Sequence, residues 1–290
     1  MPHRVIKKHS GSVRSTEGNP IRFDLYTPGN YTGSLPVILF LHGFKGFKDW
    51  GTFPDAFFEM ARQGFAVLAM NFSHGGVPPA QDTFAEAELF RTQTITQELN
   101  DVASIVAEIR SGKMAATAGV DELYPLGIIG HSRGGHTAVL AAAEIDDISC
   151  LVAWAPVANL TDSWTDAMKE TWKSGGDVVI QNARTGEALP IGPQLYTDVV
   201  HAEDRFNALE RIRELYIPVL AIHATDDETV PHKNSQQLVE ACAGFDKEKL
   251  LLDKGGHTFG SYHPYDGEEL PDEFAHVVDH TIRWFQTYLV

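Results

Sequence analysis

The sequence predicts an α/β protein with a mostly parallel central sheet and helices on both faces. Short, continuous apolar runs alternate along the chain with segments whose apolar residues recur at helical spacing. Continuous apolar runs are typical of parallel strands that are buried on both faces, and their alternation with helices favours this layered architecture. A chain of 290 residues can bury a large core, so we expect residues 1–290 to form a single domain.

The amino-terminal part of the chain predicts three strands. Residues 3–28 contain two of them, separated by the turn-forming residues 17–20. The second has apolar residues at alternate positions, as in a half-buried strand: Ile21, Phe23 and Leu25. Residues 36–41 (PVILFL) form the first continuous apolar run and predict a buried parallel strand.

The middle of the chain alternates helix and strand. Residues 52–63 predict a helix with Thr52 as the N-cap and a proline in the first turn, and residues 65–71 predict the next buried strand. Residues 72–91 contain Gly and Pro clusters and predict a loop. Residues 92–110 have apolar side chains on one helical face and predict a long amphipathic helix.

The second half of the chain predicts three more strands and a closing helix. The strands are predicted over 148–155, 218–223 and 249–253, and the helix over 272–288. Residues 157–215 have a different composition, with several glycines and the large apolar side chains of Trp164, Met168 and Trp172. Because such residues need burial, we expect 157–215 to be an ordered insertion, a cap over the carboxyl edge of the sheet.

Residues 126–135, with the sequence LGIIGHSRGG, predict a strand that turns sharply into a helix. Residues 130–134 match the pattern G-x-S-x-G, the nucleophile elbow that exposes a serine hydroxyl at a strained turn. At this turn Ser132 requires a positive φ, and a Cβ at Gly130 or Gly134 would collide with the neighbouring backbone. The strand before and the helix after give the motif its required context.

Two further loops supply the partners that a nucleophilic serine needs. A serine must transfer its proton to a base, and the base must be oriented by a third group. Residues 224–231 place acidic residues after one predicted strand, and residues 254–259 place His257 after the next. All three loops leave the carboxyl ends of strands, where open α/β sheets place their sites.

With these motifs the chain resembles the α/β-hydrolase superfamily, and within it the serine esterase and prolyl-oligopeptidase-like branch. The resemblance extends from about residue 21 to the end of the chain, apart from the insertion. It rests on four short stretches in the expected order: HGF at 42–44, GHSRGG at 130–135, DDETVP at 226–231 and GGH at 255–257. It implies the α/β-hydrolase fold, with about eight strands and an inserted cap over 157–215.

The resemblance also implies a role for each residue of the site. Ser132 corresponds to the nucleophile and His257 to the general acid and base. The acid is Asp227 by the family's spacing from the Val-Pro pair, with Asp226 as the alternative. The oxyanion hole corresponds to two backbone N–H groups, those of Phe44 and Arg133.

The function predicted on this basis is a cofactor-independent serine hydrolase that cleaves a small-molecule carboxylic ester. Two alternatives remain: a peptidase or acylaminoacyl hydrolase of the same branch, and a ligand-binding relative with little or no turnover. No cofactor or metal is expected, because His201, Glu203 and Asp204 lack a zinc-ligand spacing. We expect His42 and His131 to be structural hydrogen-bonding residues, whereas His74 lies in a loop from which it could contact substrate.

Composition limits the partners. The formal net charge of −16 argues against nucleic acid or an anionic membrane as the main partner, and no apolar run approaches the length of a membrane span. No secretory leader is recognisable in the first residues, and the only cysteines, Cys150 and Cys242, are expected to be free thiols. These features predict a cytoplasmic location. The oligomeric state cannot be read from the sequence.

Overall fold

A computed structural model describes residues 5–79, 82–182 and 186–290. These residues form ten strands. In chain order the strands are β1 (Ile6–Arg14), β2 (Pro20–Pro28), β3 (Leu35–Leu41), β4 (Ala66–Asn71), β5 (Leu123–His131), β6 (Ile148–Trp154), β7 (Val178–Gln181), β8 (Ala188–Ile191), β9 (Val219–Ala224) and β10 (Lys247–Leu252).

Eleven α-helices and three short 3₁₀ turns are present in the described residues. The helices are α1 (Phe53–Arg62), α2 (Ala87–Arg91), α3 (Ile95–Arg110), α4 (Lys113–Ala118), α5 (Arg133–Glu144), α6 (Asp166–Lys173), α7 (Pro193–His201), α8 (Glu203–Phe206), α9 (Ala208–Arg211), α10 (Lys233–Ala241) and α11 (Asp272–Tyr288). The 3₁₀ turns are Leu160–Ser163, Ile212–Glu214 and Gly256–Thr258.

Eight of the strands form one sheet in the order β1-β2-β4-β3-β5-β6-β9-β10. Strand β2 pairs antiparallel with β1 and β4, and every other neighbouring pair is parallel. Strands β7 and β8 form a separate antiparallel hairpin. The prediction of a mostly parallel central sheet of about eight strands is therefore confirmed.

The apolar runs of the sequence form strands that are covered by helices on both faces of the sheet. Every residue of β4 is buried, and so is every residue of β9. One core layer includes the apolar faces of α3 and α5, and the other includes those of α1 and α11. The parallel strands therefore lie between two helical layers, and their carboxyl ends reach the same edge of the sheet.

Between β6 and β9, the described residues 156–182 and 186–218 include α6 to α9 and the β7–β8 hairpin. The segment is fastened to the helices on one face of the sheet. The backbone N–H of Gly192 donates to the carbonyl of Arg91 at the end of α2 (2.8 Å), and the carboxylate of Asp198 in α7 accepts from the N–H of Thr96 in α3 (2.9 Å). These contacts join the described part of the segment to α2 and α3.

Several element boundaries differ from the sequence predictions. Helix α2 lies inside the stretch predicted as a loop, because Phe90 is buried there against Phe44 and Phe84. Thr52 precedes α1 as predicted, but its hydroxyl donates to Ser261 Oγ (2.7 Å) and does not cap the helix. Helix α3 begins at Ile95, where the side chain of Thr94 accepts the N–H of Gln97 as an N-cap.

Candidate active site

Ser132 lies at the turn between β5 and α5, with φ 57° and ψ −121°. The two glycines permit this turn. A Cβ on Gly130 would lie 2.1 Å from the carbonyl oxygen of Gly134, and a Cβ on Gly134 would lie 2.4 Å from that of Leu41. Both distances are far below van der Waals contact, so the predicted elbow geometry and the steric need for both glycines are confirmed.

His257 follows β10 in the Gly256–Thr258 turn and reaches the serine. Its Nε2 atom lies 2.9 Å from Ser132 Oγ, which is hydrogen-bond distance. The ring is partly exposed. An imidazole placed in this way can take the hydroxyl proton when the serine attacks.

Asp227, in the loop after β9, lies on the other side of the imidazole. Its Oδ2 atom is 2.8 Å from His257 Nδ1 and 3.0 Å from Nε2 of a second histidine, His223. Its Oδ1 atom accepts the backbone N–H groups of Thr229 (2.8 Å) and Val230 (2.9 Å). Burial alone would raise the pKa of Asp227, but these hydrogen bonds outweigh it and hold the pKa well below its usual range.

Asp226 points to a different set of donors. Its carboxylate accepts the backbone N–H groups of Gly255 (3.2 Å) and Gly256 (2.8 Å), the two residues before the histidine. The structure therefore brings Asp227 to the His257 ring, and it assigns Asp226 to the backbone of the loop that carries the ring.

His131 and His42 make the structural hydrogen bonds expected of them. His131 Nε2 lies 2.9 Å from the carbonyl oxygen of His257, and the two rings lie 4.9 Å apart. His42 Nδ1 lies 2.9 Å from the carbonyl oxygen of Gly43. Burial lowers the pKa of His131 to about 3 and that of His42 to about 4, so both rings are neutral at pH 7.

The two residues predicted to form the oxyanion hole are packed against each other. The Arg133 guanidinium lies over the Phe44 ring, 4.5 Å from its centroid. Between β3 and Phe44 the backbone passes so close to the nucleophile that a Cβ on Gly43 would lie 2.8 Å from Ser132 Cβ. The side chains thus hold the loop after β3 against the start of α5.

A buried ion pair fixes the Arg133 side chain. The guanidinium lies 2.6 Å from Glu98 Oε1 in α3, and it also donates to the side chain of Gln93. The other carboxylate oxygen of Glu98 accepts the hydroxyl of Thr137 at 2.6 Å. Burial raises the pKa of Glu98 and lowers that of Arg133, and each charge opposes the shift of the other.

His74 lies in a separate buried polar cluster. Its Nε2 atom is 3.3 Å from the side-chain amides of Asn19 and Gln97, and its Nδ1 atom is 3.0 Å from Ser73 Oγ. Asp101 accepts the backbone N–H of Ser73 at 2.7 Å, and burial raises the pKa of this carboxyl to about 7. None of these hydrogen bonds joins His74 to Ser132.

Sequence reasoning missed Glu98 and His223. Both occupy positions where an apolar residue would continue the pattern: Glu98 on the buried side of α3, and His223 at the end of an apolar strand. A charged or polar residue at an otherwise apolar position is the signal that could have found them, because burial of such a group requires a partner.

The described residues contain no group of three or more His, Cys, Asp or Glu side chains that could hold a metal ion. The residues searched include His201, Glu203 and Asp204. Cys150 and Cys242 are both free and buried, as expected. In the part of the chain that the structure describes, no helix is long and apolar enough to cross a bilayer.

The sequence is similar to that of a known protein. Lysophosphatidylserine lipase ABHD12 of Danio rerio is 24% identical over 218 residues, which are 74% of this chain and 49% of that protein. The chain thus spans about half the length of this relative.

Two solved structures have the same fold. The structure of DcsB in complex with its substrate analogue superposes with a TM-score of 0.74 at 17% identity, covering 97% of this chain and 100% of the other. The esterase domain of a Rhodothermus marinus protein gives a TM-score of 0.65 at 18% identity, covering 97% and 99%. The sequence profile of the Alpha/beta hydrolase family matches residues 38–277. The chain therefore belongs to the alpha/beta hydrolase family.

Proposed function

We propose that the protein is a serine hydrolase that cleaves carboxylic esters through an acyl-enzyme on Ser132. The observation that carries the proposal is the pair of short distances at His257: 2.9 Å from Nε2 to Ser132 Oγ, and 2.8 Å from Nδ1 to Asp227 Oδ2. The serine has a base within reach, and the base has a carboxylate that orients it.

The proposed reaction has two halves. Ser132 Oγ attacks the ester carbonyl carbon while His257 Nε2 takes the hydroxyl proton, and the carbonyl oxygen becomes an oxyanion that accepts the N–H groups of Phe44 and Arg133. His257 then gives the proton to the departing alcohol, which leaves an ester between the acyl group and Ser132. In the second half His257 takes a proton from a water molecule as the water attacks the acyl carbon. His257 then gives this proton to Ser132 Oγ as the bond between the acyl group and Oγ breaks, which releases the carboxylic acid and restores the free serine.

The ester substrate class is favoured over an amide by the similar proteins. One is a lipase and another contains an esterase domain, and both names describe cleavage of carboxylic esters. The substrate in this proposal is a small-molecule ester.

We also propose that residues 157–215 form a cap that selects the substrate. The segment begins beside the nucleophile in space, because the N–H of Val157 donates to the carbonyl oxygen of Ser132 at 3.1 Å. Strand β8 of the segment packs on α2, and Phe90 of α2 stacks on Phe44, with ring centroids 5.6 Å apart. The segment is thus linked through one helix to the proposed oxyanion loop. Residues 183–185 lie outside the described residues.

A cytoplasmic location completes the proposal. It is supported by two buried free cysteines and by the acidic net charge of −16. Fractionation of cells that produce the untagged protein tests it, because recovery in the membrane pellet or in the medium contradicts it.

The test of the activity uses matched pairs of substrates. p-Nitrophenyl esters from acetate to decanoate are compared with p-nitroanilides of the same acyl groups. We expect measurable ester hydrolysis, much slower amide hydrolysis, and loss of both in Ser132→Ala but not in the exposed control Ser111→Ala. Preference for the amides would favour the peptidase alternative, and absence of turnover on every substrate would favour a ligand-binding relative.

A further inference from the structure

His223 is a second histidine in contact with Asp227. It lies near the carboxyl end of β9 and is fully buried, with an exposed fraction of 0%. Its Nε2 atom is 3.0 Å from Asp227 Oδ2, the same oxygen that lies 2.8 Å from His257 Nδ1. One carboxylate oxygen therefore faces two imidazole rings, only one of which reaches Ser132.

The partners of His223 determine which nitrogen carries its proton. Nε2 also lies 2.9 Å from the carbonyl oxygen of Val230, which can only accept, so Nε2 must be the donor. Nδ1 lies 2.7 Å from the hydroxyl of Ser235, which is itself fully buried and can donate to it. The Nε2 proton is therefore shared between Val230 and Asp227.

We propose that His223 is a positioning residue for the triad. The Nε2–H group of His223 fixes the orientation of the Asp227 carboxylate and weakens the attraction between Asp227 and the protonated His257 ring. The proposal rests on the proposed function of Ser132, His257 and Asp227. A chain of hydrogen bonds then runs from Ser235 in α10 through His223 and Asp227 to His257 and Ser132. This chain ties the acid-bearing loop to the interior of the sheet.

The orientation argument follows from the number of donors around the carboxylate. Oδ1 accepts two backbone N–H groups, from Thr229 and Val230, and Oδ2 accepts from the two rings. Thr229, Val230 and His223 thus occupy three acceptor directions of the carboxylate, and the remaining one faces His257. Rotation of the carboxylate away from the catalytic ring would break these three bonds. Val230 takes part twice, because its carbonyl oxygen also shares the Nε2 proton of His223.

The charge argument concerns the proton that His257 gains during catalysis. Each N–H that Asp227 accepts withdraws part of the negative charge that would otherwise stabilise the protonated His257 ring. Loss of the His223 bond therefore makes Asp227 a stronger partner for that ring, and His257 should hold its proton to higher pH. The titratable groups that face the ring or its backbone are Asp227, His131, His223 behind Asp227, Asp226 and Glu273.

The test replaces His223 while the triad is kept. His223→Leu removes the donor at similar volume, and His223→Leu with Ser235→Ala also removes the hydroxyl that would otherwise lose its partner. His223→Gln restores an N–H donor. The acidic limb of the pH profile of kcat/KM is measured for each variant, and NMR follows the imidazole signals of His257 against pH without any substrate.

We expect both leucine variants to move the acidic limb and the His257 titration upward by about half a pH unit or more. The glutamine variant should stay close to wild type. A limb that does not move, or that moves downward, would overturn the proposal, even if melting temperature or maximal rate falls. If the wild-type protein hydrolyses no ester, the proposed function fails, whereas the NMR titration still decides the role of His223.

Discussion

The adjacent carboxylates Asp226 and Asp227 show how a difference of one residue decides a chemical role. Asp227 is buried, and its Oδ2 atom lies 2.8 Å from the His257 ring. Asp226 accepts backbone N–H groups of Gly255 and Gly256. Both side chains support the same histidine, one through its ring and the other through its backbone.

Replacement of Asp227 by Asn should lower kcat by orders of magnitude, about 10⁴-fold in a triad of this kind. The backbone N–H groups of Thr229 and Val230 would hold the amide oxygen, so the amide NH2 would face His257 Nδ1, fix the wrong tautomer and supply no negative charge for the protonated ring. Asp226→Asn should have a much smaller effect, since the amide oxygen can still accept one backbone N–H. Steady-state kinetics with a p-nitrophenyl ester measures both, and circular dichroism controls for folding. Comparable losses in the two variants, or a larger loss in Asp226→Asn, would contradict the assignment of the acid.

At the residue scale, the sequence predicted what local motifs encode and missed what depends on distant pairing. Ser132 and its two glycines were predictable because the elbow motif lies within five consecutive residues, although the space that a Cβ on Gly134 would need is occupied by Leu41 of β3. Glu98 is separated from Arg133 by 35 positions, and only the packing of α3 on α5 brings them together. No short pattern in the sequence contains that contact.

At the scale of elements, three aromatic rings pack together between β6 and β9. Trp164 lies 5.0 Å from Trp172 and 6.0 Å from Tyr196, measured between ring centroids. The indole N–H of Trp172 donates to the carbonyl of Ile191 at the end of β8 (2.9 Å), which connects this cluster to the hairpin on α2. Trp172 is buried and Trp164 only partly so.

Trp164→Ala should therefore change substrate preference at a moderate stability cost, because Trp164 is only partly buried. If 157–215 is a cap, the ratio of kcat/KM for long over short acyl esters should change several-fold in this variant. The control is Tyr216→Ala, an exposed aromatic residue just beyond the segment. The same proportional loss on all esters would indicate destabilisation, and unchanged kinetics would place the segment away from the substrate.

The buried parallel strands such as β4 and β9 were the most predictable elements, because six buried, mostly apolar residues in succession are typical of a parallel strand. Helices α2 and α4 were not predicted, since five or six residues are too few to show a helical period. Helix α2 is stabilised by the packing of Phe90 against Phe44 and Phe84, which are tertiary contacts that a local pattern does not contain.

For the whole molecule, burial of histidines links stability to pH. His136 in α5 is fully buried, with Nε2 2.9 Å from the carbonyl oxygen of Phe206 in α8. Burial lowers the pKa of His136 to about 4. Above about pH 6.5 the His136 ring is neutral in the folded and in the unfolded chain. Between pH 6.5 and 4 the His136 ring is protonated in the unfolded chain but stays neutral in the folded chain. The free energy of unfolding therefore falls as the pH falls.

His136→Gln should reduce this pH dependence. An amide at position 136 can still donate to Phe206, but it does not titrate. The loss of unfolding free energy between pH 7 and pH 5 should be smaller than in wild type by about 2 kcal/mol. Urea unfolding at the two pH values measures the difference. The exposed His201→Gln serves as the control, and an undiminished pH dependence in His136→Gln would show that this ring is not the linked group.

The central claim is that Ser132 is an activated nucleophile, and active-site labelling tests it most directly. The protein is treated with a fluorophosphonate, digested, and mapped by mass spectrometry, with Ser132→Ala and His257→Ala treated in parallel. The account predicts one modified residue, Ser132, no labelling in Ser132→Ala, and strongly slowed labelling in His257→Ala. Modification of a different serine, or labelling that persists in Ser132→Ala, would contradict it.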